Sequence, residues 1–134
     1  MFESKTQIRV RYGETDQMGY VYYGNYCLYY EVGRVEALRQ LGLSYKAMEE
    51  EGVMLPVMEV KSRYYKPARY DDLLTITTKL TALPGARITF DFEIHNEANE
   101  FLHEGQVTLV FVDMKTNRPT KAPASLLQSL ESYF

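Results

Sequence analysis

Within residues 11–26, RYGETDQMGYVYYGNY, two carboxylates, three glycines and five tyrosines separate a strand-like run from a helix-like one. Asp16 stands just ahead of a turn. Tyr23 and Gly24 fall near the expected helix start, where backbone N–H groups lack partners and the positive end of the dipole collects. A carbonyl oxygen resting on those amides would be polarised, and a carboxylate facing it would serve as nucleophile or as base for a water. That is the minimum apparatus for acyl hydrolysis. The same spacing suits a plainer role, because Asp caps turns and helix starts through its own hydrogen bonds. Spacing alone leaves both readings open.

A second constellation lies at residues 63–72, where Arg63, Lys66 and Arg69 interleave with Tyr64, Tyr65 and Tyr70 around Pro67. Such a loop meets phosphates through its cations and an aromatic base through its rings. It reads equally as a solvated loop, since Asp71 and Asp72 follow at once and dilute the charge. Other chemistries are poorly supplied. There is no Gly-x-Ser-x-Gly elbow and no glycine-rich phosphate loop. Two His and one Cys are too few for a zinc site of those ligands, so no metal is expected. His95 and His103 stand apart, with His95 on a polar strand face. Cys27 falls inside an apolar helix, which predicts a buried, unreactive thiol.

The elements that must hold these residues follow from periodicity. Ile88, Phe90, Phe92 and Ile94 alternate with Arg87, Thr89, Asp91, Glu93 and His95, which predicts a half-buried strand. Leu74 to Leu80 alternates likewise, and Leu83-Pro84-Gly85-Ala86 offers the turn of a hairpin. Phe101 to Val112, apolar on both faces, predicts a long strand covered on both sides. Val57 to Tyr64 and Ile8 to Tyr12 complete a five-strand meander. Between the first two strands, Tyr26, Tyr29, Tyr30, Gly33, Ala37 and Leu41 recur at helical steps, with enough apolar residues around the rest of the circumference to predict burial on most sides. Gly42 ends that helix, Ser44 caps a short second one running through Glu51, and a last helix follows Pro123. One apolar helix set early into an antiparallel sheet argues for an α+β hotdog layout, the sheet curled around the helix.

The 134 residues bound this to a single domain, 1–134, large enough to fold around one core. A lone cysteine excludes an internal disulfide, and neither a membrane span nor a leader is legible, so the expected place is the cytoplasm. A net charge of -3, from 15 Lys and Arg against 18 Asp and Glu, argues against nucleic acid as a partner. Twelve Tyr and no Trp is the unusual feature of the composition.

The segment RYGETDQMGYVYYGNY resembles the motif of hotdog-fold acyl-CoA thioesterases of the 4-hydroxybenzoyl-CoA thioesterase type. The resemblance continues through YYEVGRVEALRQLG, RYYKPARYDDLL and EGQVTLVFVDMKTNRP, and so covers nearly the whole chain. It implies that Asp16 is the catalytic carboxylate and that the backbone amide of Tyr23 binds the thioester oxygen, with no metal or cofactor. Glu14 then orients the loop, and Tyr23 stands where many relatives carry His, the Tyr22-Tyr23 pair resembling the aromatic-Tyr pair of the 4-hydroxybenzoyl branch. The implied substrate is an acyl-CoA, or an acyl group on acyl carrier protein, with Arg63, Tyr64, Lys66 and Arg69 as candidate substrate-binding residues. A non-catalytic thioester-binding protein is the alternative. The resemblance also implies side-by-side pairing into a homodimer or homotetramer.

Overall fold

The alternation at residues 87–95 becomes the central strand of an antiparallel sheet in the computed structural model, which describes residues 1–134. In chain order the strands are β1 (Phe2–Arg9), β2 (Val53–Met54), β3 (Val57–Tyr64), β4 (Leu73–Leu80), β5 (Arg87–His95), β6 (Phe101–Val110), β7 (Val112–Asp113) and β8 (Arg118–Pro119). The helices are α1 (Tyr26–Gln40), α2 (Tyr45–Glu50) and α3 (Ala124–Leu130). The five-stranded sheet has the order β1-β4-β5-β6-β3, and β2, β7 and β8 form a small second sheet. Only β4, β5 and β6 run as a meander. The strands flanking α1 in sequence close the two edges instead, β1 against β4 and β3 against β6.

One face of the sheet carries the core. Leu74 and Ile76 of β4, Ile88, Phe90, Phe92 and Ile94 of β5, and Val107 and Leu109 of β6 are buried there. Burying each such side chain contributes about 1.5–3 kcal/mol. The opposite face is lined by Lys79, Asp91, Glu93, Glu104 and Gln106. Consequently β6 is fully buried on one face and only partly on the other, rather than covered on both sides. Its outward residues Glu104, Gln106 and Thr108 are the reason.

α1 crosses the core face over β1, β4 and β5. Tyr26, Tyr29, Tyr30, Gly33, Ala37 and Leu38 are buried, at the helical steps legible in the sequence. The approach is close at Gly33, where a Cβ would lie 2.6 Å from Thr78 Oγ1 and 3.0 Å from Ile76 Cγ2. The other side of the helix stays partly open: Leu28 is exposed, and so is Cys27. Burial on most sides and a buried thiol therefore do not hold within one chain, because one sheet covers only one stripe of a helix.

The first strand differs too. It spans Phe2–Arg9 rather than Ile8 to Tyr12, and Tyr12 opens a 3-10 turn, Tyr12–Glu14. Its core-facing register holds Ser4 opposite Thr78 and Thr6 opposite Ile76, polar residues that mute the apolar alternation. The short helix forms as its cap predicts, with Ser44 Oγ accepting from the Ala47 N–H at 3.1 Å. α3 follows Pro123 and buries Leu126 and Leu130. No helix is long and apolar enough to cross a membrane.

Candidate active site

The loop between β1 and α1 is held by one buried carboxylate. Glu14 is only 7% exposed and accepts from the Arg11 N–H at 2.8 Å, from the Arg11 guanidinium at 3.1 and 3.2 Å, and from the Tyr29 hydroxyl at 3.0 Å. Burial pushes its carboxyl upward. The Arg11 amide and guanidinium and the Tyr29 hydroxyl outweigh that and hold it below the usual carboxylate range. Its main-chain carbonyl reaches the other way, accepting from the Tyr22 N–H at 2.9 Å and from Asn25 Nδ2 at 2.8 Å. Glu14 thus ties the strand exit to the helix start, which gives physical content to its loop-orienting role.

Asp16, two residues on, is half-buried and differently employed. Its Oδ1 accepts from the Met18 N–H at 3.0 Å and the Tyr20 N–H at 3.3 Å, so the plain capping role is present. The second carboxylate oxygen accepts nothing within the chain. The turn closes from the Asp16 carbonyl to the Gly19 N–H at 2.9 Å, with Gly19 at φ 79°, a conformation that costs glycine little. A bond from the Val21 N–H to the Ala68 carbonyl at 2.8 Å pins the loop to the chain after β3.

The helix start is a 3-10 turn, Tyr23–Asn25, that runs into α1. The amides of Tyr23 and Gly24 donate to no group in the chain, whereas those of Tyr22 and Asn25 are both engaged. Two consecutive unpartnered N–H groups at a helix start are suited to a developing oxyanion. The Tyr22 phenol is held above its ordinary range, chiefly by the Tyr23 hydroxyl beside it and in lesser part by the charge of Asp16.

The basic-aromatic loop is not gathered into one site. The Arg69 guanidinium lies 5.0 Å from the centre of the Tyr20 ring, next to the Asp16 turn. Lys66 is ion-paired with Glu100 at 2.9 Å. Arg63 lies opposite Glu104 in the ladder and lines a depression of about 410 Å³ on the polar sheet face, with Lys61, Lys79 and Glu93. Tyr64 and Lys66 instead line a smaller cleft, about 200 Å³, together with Tyr20, Val21, Tyr26, Tyr65 and Pro67. This cleft adjoins the Asp16 loop through Tyr20 and the start of α1 through Tyr26.

His103 does not stand alone as its sequence neighbourhood suggests. It is fully buried on β6, its Nε2 is hydrogen-bonded to the Tyr30 hydroxyl, and its ring stacks on Tyr26 at 4.1 Å. Burial pushes its imidazole down to about 4, so it is neutral at pH 7. Burial likewise raises the Tyr29 and Tyr30 phenols, which keep their protons. Nowhere do three His, Cys, Asp or Glu side chains converge to hold a metal ion.

The model of the thioesterase-like superfamily matches residues 10–130. The chain belongs to that family. It is 38% identical over 120 residues to the acyl-CoA thioester hydrolase YbgC of Escherichia coli O157:H7, covering 90% of each chain. Among solved structures it resembles a DHNA-CoA thioesterase from Staphylococcus aureus, with 33% identity and a TM-score of 0.86 over 100% of this chain and 85% of the other. It also resembles the hypothetical protein TT1821 of Thermus thermophilus, with 32% identity and a TM-score of 0.89 over 98% of each chain. The hotdog fold expected from the sequence is thus the fold of this thioesterase family.

Proposed function

We propose that this thioesterase-family chain hydrolyses acyl-CoA thioesters to a free acid and CoA, with Asp16 as the catalytic carboxylate and the Tyr23 amide as oxyanion donor. The observation that carries this reading is the pair of unpartnered amides at Tyr23 and Gly24, tied through Glu14 to a loop whose Asp16 keeps one carboxylate oxygen free. The thioester oxygen rests on the amides, which strengthens as negative charge develops on it. Asp16 either attacks the carbonyl carbon, displacing the thiolate and leaving a mixed anhydride that water then hydrolyses, or takes a proton from a water that attacks the carbon directly. In both routes the C–S bond breaks and the thiolate takes up a proton. The thiol leaves as CoA. Tyr64 and Lys66 border the cleft nearest this point, and Arg69 braces the loop through Tyr20, while Arg63 serves the substrate only where CoA crosses the sheet's polar face. The reaction is placed in the cytoplasm, where Cys27 stays a thiol.

The test is thiol release from short, long and aromatic acyl-CoAs by the native protein and by Asp16→Ala. Turnover by the native protein and a loss of about 10²–10⁴-fold in the variant is expected. Saturable binding of acyl-CoA with no thiol released from any member of the panel would overturn hydrolysis in favour of a binding role. Faster release from acyl carrier protein than from CoA would replace the substrate. Tyr23→Pro removes one N–H, and a loss of about 10²–10³-fold is expected, the effect of removing one aimed donor. Full turnover in a folded Tyr23→Pro protein would sink the oxyanion assignment.

A further inference from the structure

His103 takes no part in the chemistry at Asp16 and Tyr23, yet the fold builds around it. Its Nε2 is bonded to the Tyr30 hydroxyl, which also lies 2.6 Å from Ser62 Oγ on β3. Gly105 makes room for this arrangement, since a Cβ there would fall 2.4 Å from the Tyr30 hydroxyl oxygen. Tyr26 stacks on the imidazole at an interplanar angle of 13°, and Tyr64 meets it edge-on at 4.6 Å. Within this shell His103 Nδ1 is buried and has no hydrogen-bond partner. Native interiors rarely leave a polar atom in that state unless a ligand or water supplies the missing bond.

Tyr26 and Tyr64, two of the rings packed on His103, also line the 200 Å³ cleft beside the Asp16 loop. Tyr64 is half exposed on an edge strand and its hydroxyl makes no hydrogen bond within the chain, so this ring is the one free to yield. A cavity of about 150 Å³ holds a benzene ring, so the cleft takes a group of that size with a small substituent. The tautomer narrows the chemistry of that substituent. With Nε2 accepting from Tyr30, Nδ1 carries a proton and needs an acceptor, and with Nε2 donating, Nδ1 is bare and needs a donor. A hydroxyl satisfies either, whereas a carboxylate would be buried against a neutral imidazole, and the cation that lines the cleft, Lys66, is already paired with Glu100.

We propose that His103 is a specificity-determining residue whose Nδ1 reads a hydroxyl on the acyl group of the thioester, reached between Tyr26 and Tyr64 and held in register by Tyr30 and Ser62. This rests on the acyl-CoA reading above and adds the residue that reads a hydroxyl of the acyl group, whether borne on a ring or on an aliphatic chain. Matched pairs separate those two sources: 4-hydroxybenzoyl-CoA against benzoyl-CoA, and 3-hydroxybutanoyl-CoA against butanoyl-CoA. The native protein is expected to favour the hydroxylated member of at least one pair by tenfold or more in kcat/KM, as sites that hydrogen-bond a substrate hydroxyl do. His103→Phe is expected to bring that ratio within twofold while still hydrolysing the unsubstituted partner, and His103→Asn to keep part of it.

Turnover of both members of both pairs at similar rates by the native protein would overturn the inference and leave the thioesterase reading standing. Because His103 is buried, a measurement on a chain that keeps it accompanies these variants. ¹⁵N-imidazole resonances of the two His, in Asp16→Ala protein, are followed on addition of each acyl-CoA. A saturating Nδ1 shift of His103 with the hydroxylated member alone is expected, and equal responses within both pairs, or none, would refute the contact. No thiol release from any acyl-CoA, with that selective shift intact, would remove the hydrolysis and keep the recognition.

Discussion

Glu14 and Asp16 are two residues apart and have opposite duties: one is enclosed by Arg11 and Tyr29, the other keeps an oxygen free. Glu14→Gln keeps the shape and removes the charge that Arg11 and Tyr29 meet. A stability loss of about 1–3 kcal/mol is expected, the range for weakening a buried hydrogen-bonded charge, checked by urea melts. If Glu14 positions the loop, kcat falls with little change in KM. His103 adds a pH dependence. An unfolded His binds a proton below about 6.5, while burial holds this one near 4, so between those values the unfolded chain carries a proton that the native chain lacks. Stability therefore falls with pH across that window, by about 2 kcal/mol at pH 5 from the pH 7 level, and His103→Asn should abolish that part of the fall. The Glu14 limb comes lower, since its stabilisation is present above the unfolded carboxyl value and is lost as pH drops through the depressed native one. The turn at Asp16 and the unpartnered amides at Tyr23 and Gly24 were legible because turn and helix-start geometry is local. His103 was not, because its partner Tyr30 is 73 residues away in the chain on α1, and Ser62, which shares that hydroxyl, lies on β3. The one available signal was Gly105 inside a strand, a mark of close approach by another group.

At the scale of elements, α1 sits where it does because two glycines let it. In a free helix Gly33→Ala would stabilise by about 1 kcal/mol through propensity. Here the added Cβ meets Thr78, Ile76 and Phe92 at 2.6–3.1 Å, and overpacking costs about 1–3 kcal/mol, so net destabilisation is expected in a thermal melt. Gly105→Ala presses on the Tyr30 ring at 2.3–2.5 Å and should displace its hydroxyl from both His103 and Ser62. β3, β4 and β5 were legible because each alternates a more apolar face with a more polar one, and α1 because Tyr26, Tyr29, Tyr30, Gly33 and Ala37 recur at helical steps. The ends of β1 were not, since Ser4 and Thr6 occupy its core-facing positions. Nor was the strand order, because pairing β1 with β4 and β3 with β6 is a property of the whole sheet and leaves little mark on either segment.

At the scale of the molecule, β3 is the feature that a lone chain leaves unresolved. It is an edge strand with all eight residues exposed, among them Val57, Met58, Val60 and Tyr64 at 42–51%. An exposed apolar edge is a template for pairing, and proteins that stay monomeric blunt such edges with charge, proline or a covering element. The other edge, β1, carries as many charges, Glu3, Lys5 and Arg9 against Glu59, Lys61 and Arg63 of β3, but buries Phe2 and Ser4 beside α1, so it is the edge already covered. Pairing of β3 with its counterpart in a second copy would join two five-stranded sheets and cover the apolar side chains, with a two-fold axis making the contact self-complementary. Tyr64 and Lys66 belong to the cleft and lie at or just beyond the end of this strand, so assembly would bring the partner close to the acyl site. Light scattering on the native protein should then give a mass at least twice the 15.6 kDa of one chain. Val60→Lys places a charge in the middle of the seam without touching Asp16 or the helix start, and is expected to shift the protein to monomer and lower kcat/KM together. A native protein of 15.6 kDa with full turnover would mean that the edge stays open and the site is complete in one chain.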